Sequence, residues 1–402
     1  MVYNSLTRRK LAFQVPLDGE VKMFVCGPTV YDYVHLGHAR TFLAFDLIVR
    51  YLKFLGYRVN YLMNITDVAE RVVQRAEHLK RDPLNLAHEY EAAFLEDVRA
   101  LGIRDIDRFE RASDSIPKMI AQVSGLIERG VAYESETGVY FEVNKFPSFG
   151  QLSGQTHEEL GLRRLELCSS KRNPEDFSLW RKYEKGLAWD SPWGRGRPGW
   201  HIEDTAISMA LLGDTYDVHG GASELIFPHH EAEIAQAESL TGKVPFVRYW
   251  LHTGLLNVDG RKMSKSLGNV IRIRDALREH TAAELRFYFS SFHYREPMVF
   301  SRDRVLKAKQ KLERLRANFN SFLAAEPVSY SKHKERLSTL ITKSELAFKR
   351  HMNNDFNAPG ALDALYAFAK ELAKTGPRMD HETKASAEST FRRMADVIGI
   401  LS

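Results

Sequence analysis

Two short stretches of the 402-residue chain carry residue types that handle phosphates. His35-Leu36-Gly37-His38 sets two imidazoles around a glycine. Imidazole N–H groups can donate to an oxyanion whose charge grows in a transition state, and glycine lets backbone and ligand come close. Lys262-Met263-Ser264-Lys265-Ser266, followed by Leu267-Gly268-Asn269, puts two lysines on a Ser/Gly loop. Such lysines can clamp a triphosphate and its departing pyrophosphate. Taken singly, each stretch has an ordinary explanation, since paired histidines often serve packing and Lys-Ser runs often sit on solvated loops. A third, scattered set has metal-donor chemistry: Cys26, Asp204, His229 and Glu233. His229 and Glu233 are spaced i, i+4 and share a face if that segment is helical. A thiolate, an imidazole and two carboxylates could close a tetrahedral zinc site or leave one position to a substrate. The same residues could also be a capped helix start and a core cysteine.

Regular elements must bring these residues together. Val21–Cys26 is an apolar run ending at Gly27-Pro28, which reads as a buried strand. Beyond the histidines, Phe45, Ile48, Leu52 and Leu55 fall on one helical face, and Gly56 is a natural stop. Residues 57–66 read as a second strand. Strand, helix and strand with short joins make a βαβ unit and so a parallel sheet. That arrangement puts His35–His38 at a helix N-terminus, where free N–H groups and the dipole favour a bound phosphate. Ile116, Ile120, Val123 and Ile127 predict a further helix, and the stretch around Glu136–Gly138 predicts a β-hairpin. Residues 146–198, rich in Gly, Pro, Trp and charge, read as an insertion outside the sheet. Strand character returns at 215–221, and a helix is expected after Pro228-His229-His230. From Ser301 onward the pattern is helical. Arg302, Arg304, Lys307, Lys309, Lys311, Arg314 and Arg316 crowd its first helix, while Leu362, Leu365 and Leu372 mark a later one that Pro359 can start. The fold class is α/β with a parallel sheet, followed by an all-α bundle.

Length and composition bound the function. A chain of 402 residues, 44% hydrophobic, exceeds one typical domain and can bury a large core. The net charge of +5 suits a nucleic-acid partner and an ordinary soluble enzyme equally. Only two cysteines, Cys26 and Cys168, are present, which excludes a disulfide scaffold and points to a reducing compartment. The N-terminus has no signal-type apolar run, and no stretch approaches the ~18 apolar residues of a membrane span. A cytoplasmic protein with no membrane association is expected.

The two phosphate-handling stretches, in this order and on a βαβ framework, match the two signatures of class I aminoacyl-tRNA synthetases. Further segments narrow the resemblance: FVCGPTVYDYVHLGHAR, YLMNITD, VYFEVNKFPSFGQLSGQ, KRNPEDFSLW, DSPWGRGRPGWHIE, DVHGGASELIFPHHEAEIAQAESLTG, HTGLLNVDGRKMSKSLGN and NNDFNAPGAL. Together they resemble the cysteinyl-tRNA synthetase family from about Val21 into the helical bundle. The resemblance implies a Rossmann-type catalytic domain in two halves (1–110 and 199–250) split by a connective insertion (111–198). A stem-contact region with the KMSKS loop (251–300) and a tRNA-contacting bundle (301–402) would follow, with the small C-terminal anticodon module expected to be absent. It also implies ATP-dependent activation of L-cysteine to its adenylate and transfer to the 3′ end of tRNA-Cys. His35, His38, Lys262 and Lys265 would stabilise phosphate charge. ATP, with Mg²⁺, would lie near Gly37, Gly220, Gly221, Glu224 and Lys265. Cysteine would sit among Cys26, Gly27, Thr29, Thr66 and Trp200, its thiolate on one Zn²⁺ per chain. A monomer is expected.

The sequence departs from the family pattern in the metal set. Family members hold zinc with two cysteines, a histidine and a glutamate, and read WHIEC where this chain reads WHIED, so Asp204 stands at the second cysteine. The ligand charge is unchanged but the set is harder; Cys168 is not expected to move in. HGGASEL replaces HGGG followed by an aspartate, and NITDVAERV replaces NITDIDDKI. Two other readings stay open: a small-molecule amine as acceptor, as in compact mycothiol-pathway relatives, or no catalysis at all in an RNA- or nucleotide-binding paralogue.

Overall fold

The computed structural model describes residues 1–155, 170–263 and 267–401, with Lys262 by its backbone. Lys265 and Cys168 lie outside the described residues. The chain opens with a small hairpin, β1 (Val2–Asn4) and β2 (Arg9–Leu11). Then come β3 (Glu20–Val25), α1 (Leu36–Phe54), β4 (Arg58–Ile65), α2 (Glu70–Leu79), α3 (Pro83–Ala100) and β5 (Arg108–Arg111). The predicted βαβ unit is therefore present.

Next, α4 (Ile116–Glu128) leads into β6 (Ala132–Glu134), β7 (Gly138–Phe141), β8 (Phe177–Lys182) and β9 (Gly196–Pro198), which pair as a separate antiparallel sheet. The chain then returns through α5 (Trp200–Leu212), β10 (Tyr216–Ala222), α6 (Glu231–Thr241) and β11 (Val247–Thr253). The central sheet runs β11-β10-β3-β4-β5, every pair parallel. The chain leaves β3 toward β4 and comes back on the other side at β10. The strand order reverses between β3 and β10, and open α/β sheets bind ligands at the strand ends beside such a reversal.

Short strands β12 (Leu256–Val258), β13 (Arg261–Lys262) and β14 (Met298–Phe300) form a third sheet around α7 (Ile273–Glu279) and α8 (Ala282–Ser290). Four helices close the chain: α9 (Arg302–Ala324), α10 (Lys334–Met352), α11 (Ala358–Thr375) and α12 (His381–Ile398). Phe319 and Phe391 stack 4.0 Å apart between α9 and α12, and Leu362, Leu365 and Leu372 are buried as the spacing predicts. No helix among the described residues is long and apolar enough to cross a membrane.

The helix that carries the histidine motif is gripped on two sides. α1 lies on the sheet and is covered by α12, so it is buried almost all round, charged residues included. Asp46 pairs with Arg50 (2.7 Å) and with Arg286 of α8. Arg50 donates to Gly102 O (2.6 Å) and Asp396 O (3.0 Å), and Arg286 to Ile398 O (3.0 Å) and Leu101 O (3.2 Å). The two arginines thus satisfy carbonyls left over at the C-termini of α3 and α12.

Candidate active site

A cleft of about 870 Å³ opens at the C-terminal ends of the central strands. Cys26, Gly27, Thr29, His35, Gly37, His38, Thr66, Trp200, Asp204, Glu224 and His229 all line it. Tertiary folding therefore gathers residues up to about two hundred positions apart in sequence onto one cavity. Thr29 and Thr66 pair as an isolated parallel bridge just past β3 and β4, which extends the sheet into the cavity wall.

His35 is the N-cap of α1 with an extended backbone (φ −125°, ψ 173°). Its N–H donates to His38 Nδ1 (3.1 Å), and the two rings stack at 3.9 Å. Both imidazoles stand at the helix N-terminus, where the dipole favours an anion. Of the second motif, Met263 stands beside the first. A Cβ on Gly37 would lie 3.1 Å from Met263 Cε, and Leu36 N donates to Ile271 O (2.9 Å). The two signature motifs are thus neighbours.

Gly220 and Gly221 lie within β10. A Cβ on Gly220 would strike the Phe45 ring, and one on Gly221 would come 2.8 Å from His230 Cε1. The structure accounts for these glycines by close packing, and Ala222, Glu224 and Leu225 of that stretch line the cleft.

The floor of the cleft holds the candidate metal set. Cys26 directly follows β3, Asp204 is in the first turns of α5, His229 precedes α6 and Glu233 is in its first turn. The i, i+4 spacing brings Glu233 Oε1 to 3.1 Å from His229 Nε2. Asp204 Oδ2 lies 3.2 Å from the same nitrogen. The His229 Nδ1 faces His201 Nδ1 at 2.9 Å, an outer contact that leaves Nε2 directed at the two carboxylates. Donor atoms of Cys26, His229, His230 and Glu233 lie within 4.8 Å of one another, a group that takes in His230 and not the expected Asp204. His230 escaped the sequence reading, as did His219. His230 Nε2 is 3.1 Å and His219 Nε2 3.4 Å from the Cys26 sulfur. Consecutive residues on an α-helix splay apart. Here Ile226–His230 form a π-turn broken at Phe227 (φ −132°, ψ 133°), and both histidines end up buried in the cluster. The doubled histidine beside a proline was the available signal.

The electrostatics ask for a cation. Cys26, Asp204 and Glu233 are buried, and among the described residues no lysine or arginine pairs with any of them. Among the described residues neither Glu233 oxygen has a hydrogen-bond donor in bonding geometry. Burial, then Asp204 and Glu233, push the Cys26 thiol well up; burial and Asp204 do the same to Glu233. Burial lowers His201, His219 and His230 well below the usual imidazole range. All these directions favour neutral groups, and a dication would reverse them for the thiol and for Glu233. The donor set thus fits a divalent metal of zinc character. Trp200, 44% exposed, stacks on His229 at 4.2 Å and walls the cleft above that set.

Residues 12–310 match the family described as tRNA synthetases class I (C) catalytic domain, and residues 347–402 match the DALR domain. The chain is 43% identical over 408 residues to the cysteine–tRNA ligase of Thermococcus onnurineus, covering 100% of this chain and 85% of that relative. For the cysteine–tRNA ligase of a Geobacillus strain the figures are 40% over 418 residues, 99% and 87%. The chain belongs to the cysteine–tRNA ligase family. Solved structures of other synthetases share the fold: Mycobacterium tuberculosis methionyl-tRNA synthetase with methionyl-adenylate (TM-score 0.69, 15% identity, 95% of this chain, 90% of that one) and an Agrobacterium radiobacter LeuRS–tRNA complex (TM-score 0.69, 10% identity, 94% and 83%).

Proposed function

We propose that this protein activates L-cysteine with ATP and transfers it to the 3′ end of tRNA-Cys. The observation that carries the reading is a cleft with His35, Gly37, His38 and Met263 in its lining and a buried thiol–carboxylate–imidazole set at its floor. Cys26, Asp204, His229 and Glu233 would hold a zinc ion. When bound, it would supply a soft electrophilic position for the substrate thiolate, which a serine hydroxyl cannot match. Trp200 closes the pocket around the substrate, and Gly27, Thr29 and Thr66 bound its polar end. ATP enters as its Mg²⁺ complex along Gly37 and Glu224, with Gly220 and Gly221 behind. The cysteine carboxylate then attacks the α-phosphorus and the bond to pyrophosphate breaks. His35 and His38, with Lys262 and Lys265, stabilise the charge that develops. A terminal ribose hydroxyl of tRNA next displaces AMP from the adenylate carbonyl. We assign 111–198 to the connective insertion, 251–300 to the stem-contact region and 301–402 to the tRNA-contacting bundle of a cytoplasmic monomer.

The test is cysteine-dependent exchange of pyrophosphate into ATP, followed by charging of tRNA-Cys. Lys265→Ala is expected to lower exchange by ~10²-fold with cysteine binding little changed. A wild-type chain that exchanges but never charges tRNA would move the acceptor to another class. One that does not exchange would remove the catalytic reading.

A further inference from the structure

An aspartate in place of a thiolate brings one more acceptor atom than a thiolate would. Asp204 is 1% exposed, so neither oxygen can rely on water, and a buried acceptor left without a partner is destabilising. Asn64, itself 1% exposed on β4, meets this need: its Nδ2 donates to Asp204 Oδ1 at 2.7 Å. The other oxygen, Oδ2, is the one 3.2 Å from His229 Nε2. The far end of the same carboxamide is also engaged. Asn64 Oδ1 accepts the Gly27 N–H at 2.7 Å, next to Cys26, and Nδ2 also reaches Thr66 Oγ1 at 3.3 Å. Gly27 lies close against β4, since a Cβ there would run into the backbone carbonyl oxygen of Asn64. These contacts fix the amide's orientation, because a flipped amide would set N–H against N–H and oxygen against oxygen. One side chain thus spans the two backbone segments that carry Cys26 and Asp204.

We infer that Asn64 is a positioning residue that makes Asp204 a one-oxygen ligand: it occupies Oδ1, leaves Oδ2 for the metal, and sets the spacing between Asp204 and Cys26. The inference rests on the proposed metal set. It implies that the value of Asn64 depends on what stands at 204. A cysteine there has no second acceptor to occupy.

The test uses the full chain with Asn64→Ala, Asn64→Asp, Asp204→Cys, Asp204→Ala and the Asn64→Ala/Asp204→Cys pair. Zn²⁺ affinity is read by chelator competition and geometry by the visible spectrum of the Co²⁺-loaded protein. With Asp204 present, Asn64→Ala is expected to weaken Zn²⁺ by about 10–100-fold, the range for losing an outer partner of a metal ligand. The Co²⁺ bands should weaken as the freed carboxylate closes on the metal with both oxygens. Asn64→Asp keeps the acceptor for Gly27 and the side-chain size but removes the donor to Asp204, so it should weaken the metal at least as much. In the Asp204→Cys background the alanine change should leave affinity and spectrum close to unchanged. Equal losses in both backgrounds, or an unaltered Asn64→Ala protein, would overturn the inference. A protein that binds no Zn²⁺, or an Asp204→Ala variant with full affinity, would instead remove the metal-set reading and the inference with it.

Discussion

Asp204 and Glu233 are carboxylates buried beside a buried thiol, and such groups persist only when protonated, paired or bound to a cation. Two carboxylates and one thiolate are a harder set than two thiolates and should grip zinc less tightly. Chelators are accordingly expected to inactivate this protein more readily than two-thiolate family members. Asp204→Cys should tighten the metal, and Asp204→Ala should weaken metal and cysteine binding together, as metal analysis and cysteine titration would report. A second residue-scale prediction concerns His252, which links His230 (2.8 Å) to Ser5 (2.8 Å). Burial lowers its pKa to about 3. The unfolded chain takes up a proton below about pH 6.5 that the folded protein refuses, so stability rises with pH between those two values. His252→Gln should flatten the fall in stability between about pH 7 and pH 5 by up to about 1.4 kcal/mol per pH unit. Urea unfolding at several pH values measures it, and an unchanged slope would show that His252 does not titrate on unfolding.

At the scale of elements, α9 sorts the seven basic residues that the sequence crowds into it. Arg302 pairs with Glu279 (3.2 Å), Lys309 with Glu284 (3.0 Å), and Arg316 caps Ile400 O (2.8 Å). Arg304, Lys307, Lys311 and Arg314 are exposed and make no ion pair among the described residues. Their spacing of three, four and three residues lines them along one helical face. A stripe of this kind suits a run of backbone phosphates. Lys307→Glu with Lys311→Glu is expected to weaken tRNA binding and to reduce the salt slope by about one unit per lost contact. Binding isotherms over a salt series decide it, and an unchanged slope would make the stripe an ordinary solvated face. Helical character from about Ser301 and the apolar face of Leu362, Leu365 and Leu372 were legible from periodicity alone. Which lysines are tied down was not, because Glu279 and Glu284 come from neighbouring helices.

Across the whole molecule, the catalytic sheet and the bundle are joined by buried charge. Asp46 of α1 is the carboxylate of Arg286, and the two arginines beside it close the ends of α3 and α12. A second joint gathers on Asp355, fully buried, which accepts from Tyr3 N (2.8 Å), Tyr294 OH (2.9 Å) and Arg295 Nε (2.7 Å). It ties the N-terminal strand and the segment before β14 to the α10–α11 turn. Asp46→Asn should leave Arg286 a buried cation without its carboxylate and lower stability by about 3–5 kcal/mol. Urea unfolding gives the magnitude. Amide exchange should rise first in α12, and a loss confined to the central sheet would contradict this joint.

The two signature motifs, their order, the βαβ start and the helical C-terminal quarter were readable in the sequence, because each rests on local periodicity or on a short contiguous pattern. So were Cys26, His229 and Glu233 as donor candidates, the last two through an i, i+4 spacing that a helix converts directly into proximity. Tertiary structure decided the rest. Asn64, His201, His219 and His230 lie on separate elements or in a π-turn, and only the strand order β10-β3-β4 brings them around Cys26 and Asp204. Asp46 and Arg50 would pass for a solvent-facing pair on a helix. They are buried because α12 covers that side of α1, a contact more than three hundred residues away along the chain. Long-range burial of charge leaves no periodic trace in a sequence, since its partners are set by which faces meet and not by spacing along one element.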